Sequence, residues 1–380
     1  MKQTARIIST YSADVFGVCS ALFELGGMVI MHDASGCNST YTTHDEPRWY
    51  DMESMVYISG LSEMEAIMGD DEKLIGDIVD AANTLHPKFI AVAGTPIPTM
   101  TGFDFTAVAE LIEQRTGIPA FGFSTTGMNA YVHGADMAFE AIARRFVDTS
   151  AVKTEHPSAN ILGLTPLDFT VNGTDQAIAH FLEDIGFTVL SRWAMGSSLD
   201  ELSQAGRAHV NLVVSASGLG VAKFLYEQFG TPYVVGIPMG EKFSALIQNA
   251  LQTAISTGAN QSPSCDLPGG NIAIIGEGIF SKSLACALEL HSGNGTTIIC
   301  PTGCDASLLR NKDLLMQSEE EIEAVIAKAN IVIADPLFQP ICPEGVRFVP
   351  LPAEAFSGRI YRQSIPNLVS DFQTFLQEVL

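Results

Sequence analysis

Positive charge is scarce in this chain of 380 residues: Lys and Arg number 20 against 43 Asp and Glu, a net charge of −23. That balance excludes nucleic acid as a partner, because binding a phosphate backbone needs a clustered basic surface. Long apolar runs are missing as well. No stretch approaches the ~20 apolar residues of a membrane-spanning helix. The opening Met1-Lys2-Gln3-Thr4-Ala5-Arg6 has no extended apolar core like that of a secretory signal. A cytoplasmic protein with no membrane contact is therefore expected. No Gly-Lys-Ser/Thr phosphate loop occurs, so ATP hydrolysis is not expected of this chain. Cysteine is present, but its seven copies are odd in number and widely scattered. Reduced thiols fit that pattern better than a disulfide framework.

Apolar material is plentiful, at 47% of residues against 17% charged, enough for several cores. Short β-rich apolar runs alternate with amphipathic helical stretches, the pattern of parallel α/β layers. In the first third, strands are expected at 28–32, 89–93 and 120–123, and helices at 71–85, 104–116 and 135–147. Residues 148–158 break the periodicity and read as a linker. A second unit has strands at 161–164, 188–190, 210–214 and 233–235, with helices at 175–185 and 220–229. The Asn-, Ser-, Pro- and Gly-rich stretch 260–270 marks a second boundary. A third unit follows, with strands at 271–275, 297–300 and 331–334, an acidic helix start at 318–321 and a closing helix at 365–380. The fold class expected is α/β, three Rossmann-like domains with mainly parallel sheets, divided as 1–155, 156–265 and 266–380.

Two local patterns carry chemistry. Gly276-Glu277-Gly278 follows a strand and opens a helix, but the third glycine of a dinucleotide fingerprint is replaced by Ser281. A two-glycine turn is also a common structural solution, and a nucleotide-binding oxidoreductase remains the weakest reading. The sharper pattern is His32-Asp33-Ala34-Ser35-Gly36-Cys37-Asn38 at the end of the apolar run Met28-Val29-Ile30-Met31. Strand ends are where α/β folds place ligands, and a following helix N-terminus would stabilise a Cys37 thiolate as nucleophile or soft metal ligand. A buried, inert cysteine in a turn is the competing reading. His32 could support Cys37 or simply be structural. His44, Asp45, Glu46 and Arg48 could line a substrate or partner face, or form an ordinary solvated loop.

The residues around Cys37 extend this pattern. Phe16-Gly17-Val18-Cys19-Ser20-Ala21-Leu22, then 28–37, then His44-Asp45-Glu46-Pro47 resemble the first cluster-binding region of nitrogenase component 1, especially its β-type subunit. Met68-Gly69-Asp70-Asp71-Glu72-Lys73-Leu74, Pro87-Lys88-Phe89-Ile90-Ala91-Val92, Gly102-Phe103-Asp104 and Gly230-Thr231-Pro232 continue the likeness over nearly the whole chain.

That resemblance implies an iron–sulfur cluster, of the 4Fe-4S kind, shared at a subunit interface. Cys37 falls on the second of three ligand positions; the first falls near Ser12, with Cys19 seven residues later, and the third on Pro96, which has no donor. Cys19 and Cys37 from each chain of a homodimer would give four thiolates, or a heteromeric partner of the same family would complete the set. A Ser12 alkoxide is a poorer ligand, since such clusters favour soft thiolates. The large metallocluster of dinitrogen reduction would need a cysteine and a histidine where Ser215 and Pro352 stand, so no FeMo-type cofactor is expected. The implied function is an electron-accepting reductase component. A separate ATP-dependent iron–sulfur reductase would serve it, and it would act on a substrate held between domains. The alternative is a non-catalytic scaffold or carrier for metallocofactor assembly. Cys300, Cys304 and Cys342 lie at strand ends of the third unit and match no strong zinc or ferredoxin spacing.

Overall fold

The computed structural model describes residues 5–34, 36, 38–268 and 270–380. The first sheet holds β1 (Met28–His32), β2 (Met55–Ile58), β3 (Ile90–Gly94) and β4 (Ala120–Phe123) in the order β2-β1-β3-β4. The second holds β5 (Ser158–Leu162), β6 (Thr188–Arg192), β7 (Val210–Val213) and β8 (Tyr233–Val235) in the order β6-β5-β7-β8. The third holds β9 (Gly270–Ile275), β10 (Gly295–Cys300), β11 (Leu314–Leu315), β12 (Ile331–Ala334) and β13 (Arg347–Pro350), ordered β11-β10-β9-β12-β13. All strand pairings within these sheets are parallel. The α/β architecture of three Rossmann-like units is thus the one the alternating pattern predicts.

The inner strands β1, β3, β5 and β7 are buried at every position, which is why 28–31 and 90–93 read as unbroken apolar runs, while β5 and β7 bury Asn160 and Asn211 paired with each other at 2.7 Å. Their crossover helices carry one apolar stripe each. Leu74, Ile75, Ile78 and Ala82 are the buried face of Asp71–Leu85. Phe105–Thr116 is capped by the Asp104 carboxylate, which accepts from the Ala107 N–H at 3.0 Å, and stops at Gly117, whose φ is +71°.

Two expectations change. The closing helix spans only Phe372–Val379, because Pro366 and the Asn367 side chain, accepting from the N–H groups of Val369 and Ser370, hold the preceding residues in a turn. The 18-residue helix Gly240–Thr257 is absent from the pattern-based reading although Phe243, Ile247, Leu251 and Ala254 form a clear stripe. Its start has a glycine and no capping side chain, so no local signal announces it.

Each sheet has a point where chain connections leave in opposite directions, between β1 and β3, β5 and β7, and β9 and β12. In open α/β sheets ligands settle outside the carboxyl ends of such strand pairs.

The first unit is locked by its opening helix, Asp14–Leu22, which is buried along its whole length. It packs so closely on Tyr131–Phe146 that a Cβ at Gly17 would stand 1.9 Å from the Tyr131 carbonyl oxygen, and one at Gly134 1.9 Å from that of Asp14.

The same long helix reaches the second unit through Asp136, whose carboxylate accepts from the Gly220 N–H at 2.5 Å. Burial pushes the Asp136 carboxyl up to about 7, with the Gly220 hydrogen bond opposing. Because the folded value is raised, its contribution is fully present below the ordinary Asp range and is lost as pH rises through about 7. Urea titrations from pH 4 to 8 should therefore show Asp136→Asn losing less stability than the parent across that window. The difference should be on the order of a few kcal/mol. Parallel pH profiles would contradict this assignment.

Candidate functional site

The carboxyl end of β1 continues into Asp33, and this short side chain organises the edge of the first sheet. Its Oδ2 accepts from Asn38 Nδ2 at 2.6 Å, and its Oδ1 lies 3.0 Å from Thr95 Oγ1. Thr95, one residue beyond β3, also reaches the His32 carbonyl at 2.9 Å. The two strand ends at the switch point are therefore tied by one hydroxyl.

Pro96 follows and opens a short helix, Pro96–Thr101. Gly127, with φ +73°, lies against it so tightly that a Cβ there would be 2.7 Å from Pro96 Cδ. The loop carrying Gly127 is gathered by Asp14. Its buried carboxylate accepts from the N–H groups of Thr126 and Gly127 at 3.0 and 2.7 Å and from Asn129 Nδ2 at 3.2 Å. Ser12 completes the ring: its carbonyl accepts from the Tyr131 N–H at 2.7 Å, and its hydroxyl contacts that of Ser9.

Ser12 and Pro96 both border the loop that carries Gly127, and Thr95, next to Pro96, reaches Asp33 at the start of the segment between Asp33 and Asn38. Cys37 belongs to that segment and lies outside the described residues. Cys19 does not join them. It sits mid-helix in the first unit's apolar core with no exposed surface, and burial, reinforced by nearby Glu46, drives its thiol far above the ordinary range. That is the environment of a packing thiol, so the expectation that Cys19 contributes to a shared site is not supported by its position.

His32 has its Nδ1 2.8 Å from Ser59 Oγ and its ring 4.4 Å from that of Phe103; burial lowers it to about 4, so it is neutral at neutral pH. Glu46 and Arg48, read as either a functional face or a solvated loop, are neither. Glu46 is fully buried and Arg48 is 2% exposed. Arg48 Nε meets Glu46 Oε1 at 2.7 Å, its Nη1 meets Glu24 at 3.0 Å and the Ala194 carbonyl of the second unit at 2.9 Å, and its Nη2 meets the Ser20 carbonyl at 2.9 Å. Asp45 faces the third unit, where its carbonyl accepts from Arg362 at 2.5 Å and its carboxylate pairs with Arg359 at 3.2 Å.

The other two switch points face each other across the interior. Asp168, Gly276, Phe280, Ser281, Asp335 and Pro352 line a cavity of about 40 Å³. One water needs ~10–15 Å³ on this measure, so the cavity admits only a few atoms. Burial, and then their mutual repulsion, holds Glu277 above the ordinary carboxylate range; burial does the same to Asp168, whose partners Tyr131 and Thr165 oppose it. Glu277 Oε2 and Oε1 accept from the N–H groups of Phe280 and Ala216 at 2.8 and 2.9 Å. A carboxyl group thus occupies the helix N-terminus that a dinucleotide pyrophosphate would need, and the Gly276–Gly278 turn reads as structural.

A larger cleft, about 280 Å³, opens between the first and third units and is lined by Ser12, Gly127, Asn129, Pro301, Thr302 and Glu319. Among the described residues no group of three or more His, Cys, Asp or Glu side chains could hold a metal ion, so Cys300, Cys304 and Cys342 do not form a triad. Asp14, Asp33 and Thr95 were not legible as site residues. An acid opening a helix or ending a strand was the only signal, and it is shared with ordinary caps.

Three open parallel sheets, each with its own switch point, define a nitrogenase component 1-like fold. The family model for nitrogenase component 1 type oxidoreductases matches residues 14–262, and the chain belongs to that family. It is 28% identical over 201 residues to a subunit of the light-independent protochlorophyllide reductase of Nostoc punctiforme, covering 50% of this chain and 39% of that protein. Similarity to the nitrogenase iron-molybdenum cofactor biosynthesis protein NifE of Clostridium pasteurianum is 28% over 184 residues, 47% of this chain and 38% of NifE. The matched stretch thus spans about two-fifths of these relatives' length. In fold, the chain superposes along its full length on 90% of a chain of the structure described as "Nitrogenase Cp1 at pH 5", with a TM-score of 0.67 and 17% identity. No helix among the described residues is long and apolar enough to cross a membrane.

The Arg48 knot predicts a large and asymmetric mutational cost. Glu46→Gln leaves a buried guanidinium short of one counter-charge and should cost roughly 3 kcal/mol or more in urea unfolding at pH 7. Adding Arg48→Met to Glu46→Gln should restore part of that loss. A double variant no more stable than Glu46→Gln would count against the buried-pair account.

Proposed function

We propose that this chain is the component 1 subunit of a nitrogenase-like reductase. It would accept low-potential electrons from an ATP-dependent iron–sulfur reductase and pass them to a substrate other than dinitrogen. The observation that supports this reading is the chain of contacts from Asp33 through Thr95 and Pro96 to the Gly127 loop, which Asp14 gathers and Ser12 borders.

The described residues of one chain do not make a complete donor set for a four-iron cluster. The reading therefore places such a cluster between two chains, with Cys37 as this chain's thiolate and the remainder from a second copy or a related component 1 chain. Ser12 stands at the same edge as a poorer oxygen donor. When bound, the cluster would supply the electron relay. The protein's own part is positional: Asp33 and Thr95 fix the strand ends, and Asp14 fixes the facing loop.

The donor set of the interior does not fit a FeMo-type cofactor. Ser215 is buried, with its Oγ accepting from the Ser217 N–H at 3.3 Å, and Pro352 offers no donor. The interior cavity is also too small for a sizeable organic molecule, so the reading assigns substrate to the cleft beside Ser12.

Anaerobic purification followed by iron and sulfide analysis and EPR tests the proposal. Wild type should carry a cluster signal, and Cys37→Ala should fall to background iron. Unchanged cluster content in that variant removes Cys37 from the role.

A second reading, a scaffold or carrier for metallocofactor assembly, is favoured by the incomplete donor set and by the similarity to NifE. Stoichiometric iron that transfers to an acceptor without ATP-coupled turnover would select it.

A further inference from the structure

The loop that leaves β10 carries a pair of thiols that the proposed electron relay does not use. Cys300 is the last residue of the strand and has no exposed surface; Cys304, four residues on, is partly exposed. Between them Gly303, with φ +70°, turns the chain back on itself. The turn brings the two sulfurs to 4.0 Å, within sulfur hydrogen-bond contact, and Thr302 Oγ1 lies 3.5 Å from the Cys300 sulfur.

The surroundings favour a thiolate in this pair. Cys304 Sγ packs on Gly278, the first residue of the helix Gly278–Ser292, where a Cβ would come within 2.9 Å of the sulfur. Glu277, which caps that helix, and Asp305 oppose negative charge on Cys304, so the thiolate falls to Cys300. The hydrogen bond from Cys304, then those from the Thr302 hydroxyl and the Thr302 and Gly303 N–H groups, bring the Cys300 thiol down to about 7 against the effect of burial. The same pairing, with burial, holds the Cys304 proton tightly, because losing it would set two thiolates side by side. One proton is easily lost and the other is retained between the two sulfurs.

We propose that Cys300 and Cys304 form a redox-active dithiol that a small-molecule disulfide converts to an intramolecular disulfide at the junction of the first and third units. The more accessible sulfur, Cys304, attacks one sulfur of the small disulfide as its proton shifts to Cys300. The disulfide's own S–S bond breaks, one thiolate leaves, and a mixed disulfide forms. Cys300 then attacks the Cys304 sulfur, closing the protein S–S bond and releasing the second thiolate. The two cysteines lose two electrons and two protons, and the small disulfide takes up both to become two thiols. Closure shortens the sulfur separation to ~2 Å, and Gly303 is the pivot that permits it. Pro301 and Thr302, in the same loop, line the cleft that holds Ser12, so the oxidation state of the pair sets the position of that wall.

The remaining described cysteines are arranged differently. Cys19 and Cys286 are buried; Cys286 Sγ accepts from the Cys265 N–H at 3.1 Å, and Cys342 Sγ lies 3.9 Å from the Val346 carbonyl.

The test uses the full chain equilibrated anaerobically in mixtures of reduced and oxidised glutathione, acid-quenched, alkylated after denaturation and sequenced by mass spectrometry. Circular dichroism confirms that the chain is folded before quenching. The expected result is the joint loss of two alkylatable thiols, a mass lower by two hydrogen atoms, and a fragment linking residues 300 and 304, all reversed by dithiothreitol. Cys300→Ser should instead trap glutathione on Cys304. The proposal is overturned if both thiols of the folded wild type remain alkylatable in fully oxidised glutathione, if wild type stops at a glutathione adduct, or if the link joins other cysteines. The wild-type result stands alone should the variant fail to fold.

Discussion

A single buried guanidinium ties the first unit to the second. Arg48 reaches Glu46 and Glu24 in its own unit, the Ser20 carbonyl at the opening helix and the Ala194 carbonyl in the second unit, with its guanidinium carbon 4.7 Å above the Phe23 ring. Ala194 has a φ of +99°, a backbone conformation that a residue with a Cβ rarely adopts. A charged donor fixed on its carbonyl is part of what keeps it there. The arginine cannot relax toward water without leaving the buried Glu46 and the half-buried Glu24 carboxylates uncompensated, so the geometry is strongly determined. Because the neighbouring Asp45 is held by Arg359 and Arg362, the segment that follows the Cys37 position is anchored to all three units.

That anchoring fixes residues 38–48, an irregular stretch of chain. The segment runs past the switch point of the first sheet, where regular pairing gives no support. Its two ends are fixed by different means: Asp33, Asn38 and Thr95 on one side, Glu46 and Arg48 on the other. Between Tyr41 and Asp45 the chain makes a widened helical turn, with the Tyr41 ring packed 5.1 Å from both Tyr11 and Phe16.

The first sheet was legible because burial on both faces leaves β1 and β3 almost wholly apolar, and a run such as Met28–Met31 has no other stable home. The region of the site was legible for the same reason, since it begins where that run ends. The roles of individual residues were not. Glu46 and Arg48 look like surface charge in sequence, and only tertiary packing reveals that each cancels the other's desolvation. Cys19 looks like a second thiol at helical spacing from Ser12, yet its helix is buried on every face, so spacing alone could not say which way the sulfur points. Gly276-Glu277-Gly278 resembles a phosphate-binding turn until Glu277 is seen folding back onto the helix that it opens.

The interior beneath the site has a chemistry of its own. Asp168, Glu277 and Asp335 stand at the facing switch points of the second and third sheets, and burial raises all three above the ordinary carboxylate range. Each is engaged by hydrogen-bond donors: Tyr131 and Thr165 at Asp168, the Ala216 and Phe280 N–H groups at Glu277, and the Leu337 and Ala353 N–H groups with Ser357 at Asp335. Such groups are stable in a dry junction when hydrogen-bonded and at least partly protonated. A bulky anionic cluster introduced there would face them with like charge and would find no soft donor among Asp168, Ser281, Asp335 and Pro352. The wider cleft lies apart from them, where Ser12 and the loop carrying Thr302 line the same space.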